Sequence, residues 1–230
     1  MQNNKLHPTY RANNRWQLPD LLPQPEGLVI PTNLTAYAYR QNIPSHEQAL
    51  LHFHIDDYRF QIVWNRPQTG LATIQRQHAW AICSPDFSLW AHTPQAEQIW
   101  NIYRARWCAR YWQEAGLLII PTVNWSTPDS WEFCFAGIPQ GQIVTLRTPK
   151  RFTSQHWKYF FAGYEEMTSV LAPRLILWFS DRIPYRCLID SIPKIQFSAS
   201  DIRQKGAGTW AAQAEAVDED PEAGTTDTTT

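Results

Sequence analysis

The sequence predicts an α/β fold: a mainly parallel sheet with crossover helices, either doubly wound or a partial barrel. Short apolar runs alternate with helical stretches along the chain, and several of those runs are apolar at consecutive residues. Consecutive apolar residues are typical of strands that are covered on both faces. Strand, helix and strand at this spacing are typical of right-handed crossovers between parallel strands. The parallel sheet is therefore the core of the predicted fold.

Six apolar runs are the predicted strands, and they lie at 50–55, 79–83, 117–123, 143–146, 175–179 and, more weakly, 194–197. A long helix is predicted over 93–115, with Thr93 as N-cap, Pro94 in the first turn and Gly116 at its end. Aromatic and small residues recur along it at steps of three and four, which predicts its core face: Ala96, Trp100, Tyr103, Trp107 and Tyr111.

A second helix is predicted over 154–171, where it stops before Pro173. Proline, asparagine and glutamine dominate residues 1–45, which predicts an irregular arm with one short element near 34–40. Residues 46–204 then form a single α/β domain. The tail, 205–230, loses its apolar periodicity and is expected to be disordered.

The composition excludes several classes of protein. No run reaches the ~20 apolar residues that a membrane span needs, and the polar N-terminus lacks a secretory signal, so we expect a cytoplasmic chain. The four cysteines form no C-x-x-C pair and are expected to be buried, reduced thiols. The sequences GxGxxG, GxxxxGKS, GxSxG and HExxH are absent, which removes the main support for dinucleotide, P-loop, esterase and zincin functions.

The net charge of −1 conceals an asymmetry along the chain. Residues 1–210 carry 20 basic and 15 acidic side chains, whereas 211–230 carry six acidic side chains and no basic one. Fifteen of the cations are arginine, which suits bidentate contact with phosphate or carboxylate. A mild positive balance permits nucleic-acid binding without requiring it.

Polar residues follow each predicted strand, at the edge where parallel α/β proteins place their sites. Three carboxylates there are the candidate catalytic groups, as an acid/base pair or as ligands of Mg²⁺: Asp56, Asp57 and Asp86. In the competing interpretation Asp57 caps a short helix and Asp86 makes a turn with Ser84 and Ser88. Arg59, Asn124 and Trp125 are candidate substrate contacts from the same strand ends, and Trp125 either covers a pocket or packs beneath its loop.

The histidines of the segment HFHIDDYRF raise the alternative of a metal centre. His52 and His54 alternate with apolar residues and share one face of the first predicted strand. Catalytic zinc normally takes three protein ligands, and later strand ends supply no further histidine. We therefore predict no metal ligands and expect both histidines to be buried, hydrogen-bonded strand residues.

The long helix carries polar side chains away from its predicted aromatic face. Asn101 and Arg104 share one side and Arg106 lies on another, and all three are candidate substrate contacts if their side of the helix looks toward the strand ends. Otherwise they are solvated surface groups.

Several motifs in order resemble an uncharacterised domain family of bacteria, phages and other mobile elements: HFHIDDYRF, SPDFS, QIWNIYRARW, IPTVNW and FCFAGIP. With IVTLRTP and the segment from AGYEEM to LILWFSD, the resemblance covers residues 50–181 and leaves the arm and the tail outside. It implies no established activity. It does place Asp56, Asp57, Asp86 and several candidate contacts within the motifs.

Two functions follow as expectations. The first is an enzyme that acts on a phosphate- or sugar-bearing substrate, such as a nucleotide or nucleic acid, at the carboxyl ends of the strands, with Mg²⁺ as a candidate cofactor. The second is a non-catalytic module that binds nucleic acid or protein through an arginine- and tryptophan-rich surface. The sequence does not predict an oligomeric state.

Overall fold

The computed structural model describes residues 7–31, 33–38, 49–149 and 153–198, and these ranges contain seven strands and five helices. The strands are β1 (Asn33–Ala36), β2 (Ala49–His52), β3 (Ala81–Cys83), β4 (Ile119–Ile120), β5 (Ile143–Leu146), β6 (Leu175–Phe179) and β7 (Lys194–Phe197). The helices are α1 (Ile62–Asn65), α2 (Pro67–Gln75), α3 (Gln95–Glu114), α4 (Trp131–Phe135) and α5 (Ser154–Leu171). Single 3₁₀ turns lie at Asp57–Arg59, Pro128–Ser130 and Tyr185–Cys187.

All the strand pairs are parallel, and the order of the strands in space is their order along the chain. The first four form one sheet and the last three another. A parallel bridge between Thr122 and Thr145 joins the two sheets, with backbone hydrogen bonds of 2.8 and 2.9 Å on either side of it. The predicted α/β class with a parallel sheet is thus confirmed.

The joined sheets are strongly curved. The rings of His52 at the end of β2 and Phe179 at the end of β6 lie 5.3 Å apart, centroid to centroid. Three strands separate β2 from β6, so in a flat sheet the two would be about 19 Å apart. Strands in sequential order with crossovers of one hand curl in this way, as in a barrel. Pairing among the described strands does not close a barrel, so the architecture is an open, rolled sheet.

The curvature divides the core into two layers. The inner layer takes one or two apolar residues from every strand: Leu34, Leu50, Ala81, Cys83, Ile120, Ile143, Leu177, Phe179 and Phe197. The alternate residues of each strand, such as Leu51, Ile82 and Trp178, face outward and pack against the helices. Because a side chain that faces inward near a strand's end lies inside the roll, polar residues there are brought together.

The predicted core face of α3 is only partly correct. Trp107 is fully buried, as predicted, but Trp100 is 47% exposed, and Ile102, Ala105 and Trp112, outside the predicted face, are buried. The aromatic stripe packs instead beside Trp64, whose ring contacts those of Trp100, Tyr103 and Trp107. The predicted N-cap is also wrong, because the hydroxyl of Thr93 donates to the carbonyl oxygen of Trp90 and caps no helix.

The N-terminal arm is bound into the sheet. The one short element predicted within it is β1, which pairs with β2 along its whole length. The side chain of Gln24 donates to the carbonyl oxygens of Ile119 and Ile143 and accepts from the N–H of Ile143, at 3.1, 2.8 and 2.8 Å. This one amide therefore fills the gap between β4 and β5, where the two sheets separate.

The other predicted elements correspond closely to those observed. β5, β6, β7 and α5 have the predicted bounds, whereas β2, β3 and β4 are shorter than predicted. The four cysteines are buried and unpaired, as expected. Within the described ranges no helix is both long and apolar enough to cross a membrane. The predicted disordered tail, 205–230, lies outside the described residues.

Candidate functional site at the carboxyl ends of the strands

Side chains from three neighbouring strand ends are joined by hydrogen bonds at the carboxyl edge of the sheet. Nδ1 of His54, after β2, lies 2.9 Å from Oδ2 of Asp86, after β3. The other carboxylate oxygen of Asp86 accepts a 2.8 Å hydrogen bond from the side-chain amide of Asn124, after β4. The parallel strands thus bring together two of the predicted site residues, Asp86 and Asn124, with a histidine expected only to be a buried strand residue.

The hydrogen bonds of His54 define its tautomer. An ionised carboxylate can only accept, so Nδ1 of His54 carries a proton and donates it to Asp86. In the neutral ring Nε2 then holds a lone pair. That atom is buried and has no hydrogen-bond partner among the described residues. A histidine whose Nδ1–H is held by a carboxylate and whose Nε2 is unpaired has the arrangement of a general base.

A cation from the next strand end adjoins this pair. Arg147, directly after β5, donates from Nη1 to the backbone carbonyl oxygen of His54 at 3.3 Å. Burial lowers the pKa of Arg147, while Asp86 and then Asp56 favour its charged form. Its other N–H groups have no partner within the described ranges, so the guanidinium can donate to a ligand as well as to the chain.

Asp57 connects the loops that follow β2 and β3. Its two carboxylate oxygens accept hydrogen bonds from the backbone N–H and the hydroxyl of Ser88, at 3.1 and 3.0 Å. It caps no helix, and Asp86 does not make the turn with Ser84 and Ser88 that was the competing interpretation. Burial raises the pKa of Asp57, and the two bonds from Ser88 oppose that rise.

Asn101 and Arg104 support the same loops from α3. The amide of Asn101 donates to the carbonyl oxygen of Ser88 at 2.8 Å. The guanidinium of Arg104 donates to the side chains of Asn101 and Gln61 and lies 3.9 Å above the ring of Phe87. This side of α3 does look toward the strand ends, but both side chains are buried and bonded to the protein.

Asp56 is the exposed residue among those predicted for the site, and Arg59 beside it is partly exposed. The carboxylate of Asp56 is 74% exposed and lies 3.8 Å from Nε of Arg59, which is 33% exposed. An ion pair this exposed contributes little to stability. The carboxylate of Asp56 is therefore accessible to a ligand that lies across the edge of the sheet.

Arg106 and Trp125 lie elsewhere. Arg106 is buried and donates to the carbonyl oxygens of Cys134 and Ala136, which fixes α3 to α4 and its end. It is neither a solvated group nor at the strand ends, which corrects both predictions for it. The indole of Trp125 donates to the carbonyl oxygen of Tyr159 and stacks on Phe160, so it packs beneath its loop.

The described side chains do not form a metal centre. In those ranges no group of three or more histidine, cysteine, aspartate and glutamate residues converges in a way that could hold an ion. The carboxylate of Asp86 is already bonded to His54 and Asn124, and that of Asp57 to Ser88. These two carboxylates thus accept from neighbouring protein donors.

We define the carboxyl-end rim as His54, Asp86, Asn124 and Arg147. Sequence reasoning selected Asp86 and Asn124, considered His54 only as a buried strand residue or zinc ligand, and did not select Arg147. The signal that identifies all four is their position one to four residues after a parallel strand.

The fold and the rim define an α/β protein whose polar groups converge at the carboxyl edge of a rolled parallel sheet. The chain belongs to the family described as a domain of unknown function (DUF4417), which matches residues 10–197. The match includes most of the proline-rich arm, so the expectation that the arm lies outside the family is wrong. The tail lies outside it.

Two relatives are phage proteins, in agreement with the resemblance to a family of phages and mobile elements. The "Gene 1 protein" of Mycobacterium phage D29 is 37% identical over 198 residues, which is 83% of this chain and 69% of the phage protein. The "Gene 1 protein" of Mycobacterium phage L5 is 37% identical over 179 residues, 75% of this chain and 74% of the phage protein. No solved structure matches the chain.

Proposed function

We propose that the chain is an enzyme that performs acid–base chemistry on a phosphate-bearing substrate at the carboxyl-end rim. The observation that carries the proposal is the pairing of His54 with Asp86, which leaves Nε2 of His54 unpaired. A carboxylate that holds Nδ1–H keeps Nε2 free to accept a proton and stabilises the imidazolium that results. In this scheme His54 is the general base and Asp86 its positioning residue.

Arg147 is the reason to propose that the substrate carries a phosphate group. Its guanidinium makes one hydrogen bond to the described part of the protein and stands beside the histidine. A planar guanidinium with unused donors suits bidentate binding of phosphate, and in a partly buried position its charge acts strongly on a substrate. Nucleotides and sugar phosphates are therefore the first substrates to test.

The predicted residues then divide into two roles. Asp57, Asn101 and Arg104 hold the loops beside the rim through their bonds to Ser88 and to one another. Asp56 is exposed and, with Arg59 beside it, forms the outer boundary of the proposed substrate site. Mg²⁺ has no part in the proposal, because two of the three candidate carboxylates, Asp57 and Asp86, already accept hydrogen bonds from the protein.

The alternative of a binding module is supported less well. It depends on an arginine- and tryptophan-rich surface, and Arg104, Arg106, Trp107, Trp112 and Trp178 are buried. Among the tryptophans in the described ranges, Trp90 and Trp100 are the two whose side chains are substantially exposed.

Turnover of a substrate panel tests the proposal. The intact chain is incubated with nucleoside mono-, di- and triphosphates, cyclic nucleotides and sugar phosphates, and each mixture is followed by ³¹P NMR. We expect conversion of one class, and a rate at least about 100-fold lower in both His54→Gln and Asp86→Asn, since a positioned base contributes roughly 10²–10⁴-fold. His92→Gln, at an exposed histidine, is the control. Equal rates in all four proteins, or no conversion by the unaltered chain, would contradict the proposal.

A further inference from the structure

Two histidines lie next to each other inside the rolled sheet, and each has one buried nitrogen without a partner. His52 and His54 project from alternate positions of one strand end, with ring centroids 5.7 Å apart and the planes 29° from parallel. Phe179 covers both rings from the other side of the roll, at 5.3 and 4.5 Å. Nε2 of each ring is buried and unpaired within the described ranges.

The two unpaired nitrogens are of opposite kinds. The backbone N–H of His54 donates to Nδ1 of His52 at 3.3 Å, so Nδ1 of His52 is an acceptor and its proton is on Nε2. In His54 the ring proton is on Nδ1, which donates to Asp86, and Nε2 has the lone pair. The pair therefore presents one donor and one acceptor.

We propose that one water molecule lies between the rings, accepts a hydrogen bond from Nε2–H of His52 and donates one to Nε2 of His54. A buried water needs at least two polar partners, and orphaned buried polar groups are the places where such waters lie. The two unpaired nitrogens supply those two partners. Both nitrogens are buried, so the group between them is small, and a single water molecule can bond to both.

A metal ion fits this pair poorly. A histidine that binds a metal through Nε2 normally donates its other N–H to a neighbour. His54 does so, but Nδ1 of His52 accepts a hydrogen bond instead. His52 would have to lose that bond and change its tautomer before it could bind a metal.

The water site deepens the proposed function, on which its catalytic meaning depends. If the substrate carries a phosphoester, the reaction is then hydrolysis. The water oxygen forms a bond to phosphorus, the water proton passes to Nε2 of His54, and the ester oxygen leaves with the bonding pair and takes a proton from solvent. His52 directs the water through its N–H and is a positioning residue for the nucleophile.

Histidine NMR of the unaltered, intact chain tests the site without requiring activity. Long-range ¹H–¹⁵N spectra are expected to show His52 protonated at Nε2 and His54 at Nδ1, with a nuclear Overhauser contact from His52 Nε2–H to a long-lived water. A His52 proton on Nδ1, the absence of that water contact, or displacement of both histidine signals by one equivalent of ZnCl₂ would overturn the proposal.

One variant tests the catalytic role of the water independently of the rest of the site. His52→Phe keeps an aromatic ring but removes the donor, and it is expected to leave His54 in its tautomer and phosphate binding unchanged while turnover falls at least tenfold. His92→Phe is the matched control. Turnover equal to that of the unaltered chain would overturn the catalytic use of the water. If no substrate is converted at all, the proposed function fails and the NMR result still decides whether the water site exists.

Discussion

Nδ1 of His54 donates to Oδ2 of Asp86 across 2.9 Å, and this bond links the ends of β2 and β3 over 32 residues of chain. It depends on parallel pairing, because only parallel neighbours place both loops at one edge of the sheet. The bond fixes which nitrogen of His54 is free.

Replacing Asp86 with asparagine is predicted to change the tautomer of His54 while the fold is retained. The new amide has one acceptor, whereas Asp86 accepts from both His54 and Asn124. One of those bonds must be lost or reversed, which costs about 1–3 kcal/mol of unfolding free energy. Chemical denaturation and histidine NMR measure the two effects. Asp129→Asn, at an exposed carboxylate, is the control, and global unfolding of Asp86→Asn would show that the residue is structural.

Replacing Asp57 with asparagine is predicted to be tolerated, whereas replacing it with alanine is predicted to destabilise the protein. Asparagine can accept from the N–H of Ser88 and donate to its hydroxyl, which keeps both links, whereas alanine keeps neither. Asp57→Asn should change the unfolding free energy by less than about 1 kcal/mol and Asp57→Ala should lower it by roughly 1–3 kcal/mol. Loss of activity in a stable Asp57→Asn protein would instead show that its charge takes part in catalysis.

The protein is predicted to lose stability in mild acid because of His52. Burial, then His54 and Arg147, lowers the pKa of His52 well below its ordinary value of 6.5. Below pH 6.5 the His52 side chain binds a proton in the unfolded chain but stays neutral in the folded chain. The unfolding free energy therefore falls with falling pH until the folded-state pKa of His52 is reached. Above pH 6.5 His52 causes no loss of stability.

The slope of that loss is at most about 1.4 kcal/mol per pH unit for one proton. Urea denaturation between pH 7.5 and 5 measures it, and His52→Phe should reduce the slope where His92→Gln does not. An unchanged slope in His52→Phe would show that other groups cause the acid sensitivity.

Much of the fold is predictable from local pattern, and much of the site is not. β5 and β6 are apolar runs with clear ends, β7 is a weaker run, and α5 ends just before a proline. The aromatic stripe of α3 predicted only part of its buried surface, because Trp64 packs against the stripe and because Arg106 is buried against carbonyl oxygens that no spacing reveals. The strand-end rule selected Asp86, but its bond to His54 depends on strand neighbours that the sequence does not specify.

Gln24 shows the same limit and gives another prediction. Its partners lie 95 and 119 residues away, so nothing local indicates its role. Gln24→Ala removes the hydrogen bonds from the side chain of Gln24 to the N–H of Ile143 and to the two carbonyl oxygens. This loss should lower the unfolding free energy by about 2–4 kcal/mol. Gln140→Ala removes one exposed bond and is expected to cost well under 1 kcal/mol. A Gln24→Ala protein as stable as this control would show that water satisfies the gap between the sheets.

Phosphate binding measured by calorimetry tests the central claim most directly. Nucleoside monophosphates and inorganic phosphate are titrated into three proteins: the unaltered intact chain, Arg147→Gln and Arg76→Gln. Arg76→Gln is the control, because Arg76 is exposed and precedes β3, at the opposite end of the sheet. A charge-assisted bond is worth about 1.5–3 kcal/mol, so Arg147→Gln should weaken saturable binding at least about tenfold. Arg76→Gln should bind as the unaltered chain does. Equal affinity in all three proteins, or no saturable binding by the unaltered chain, would contradict a phosphate site at the carboxyl-end rim.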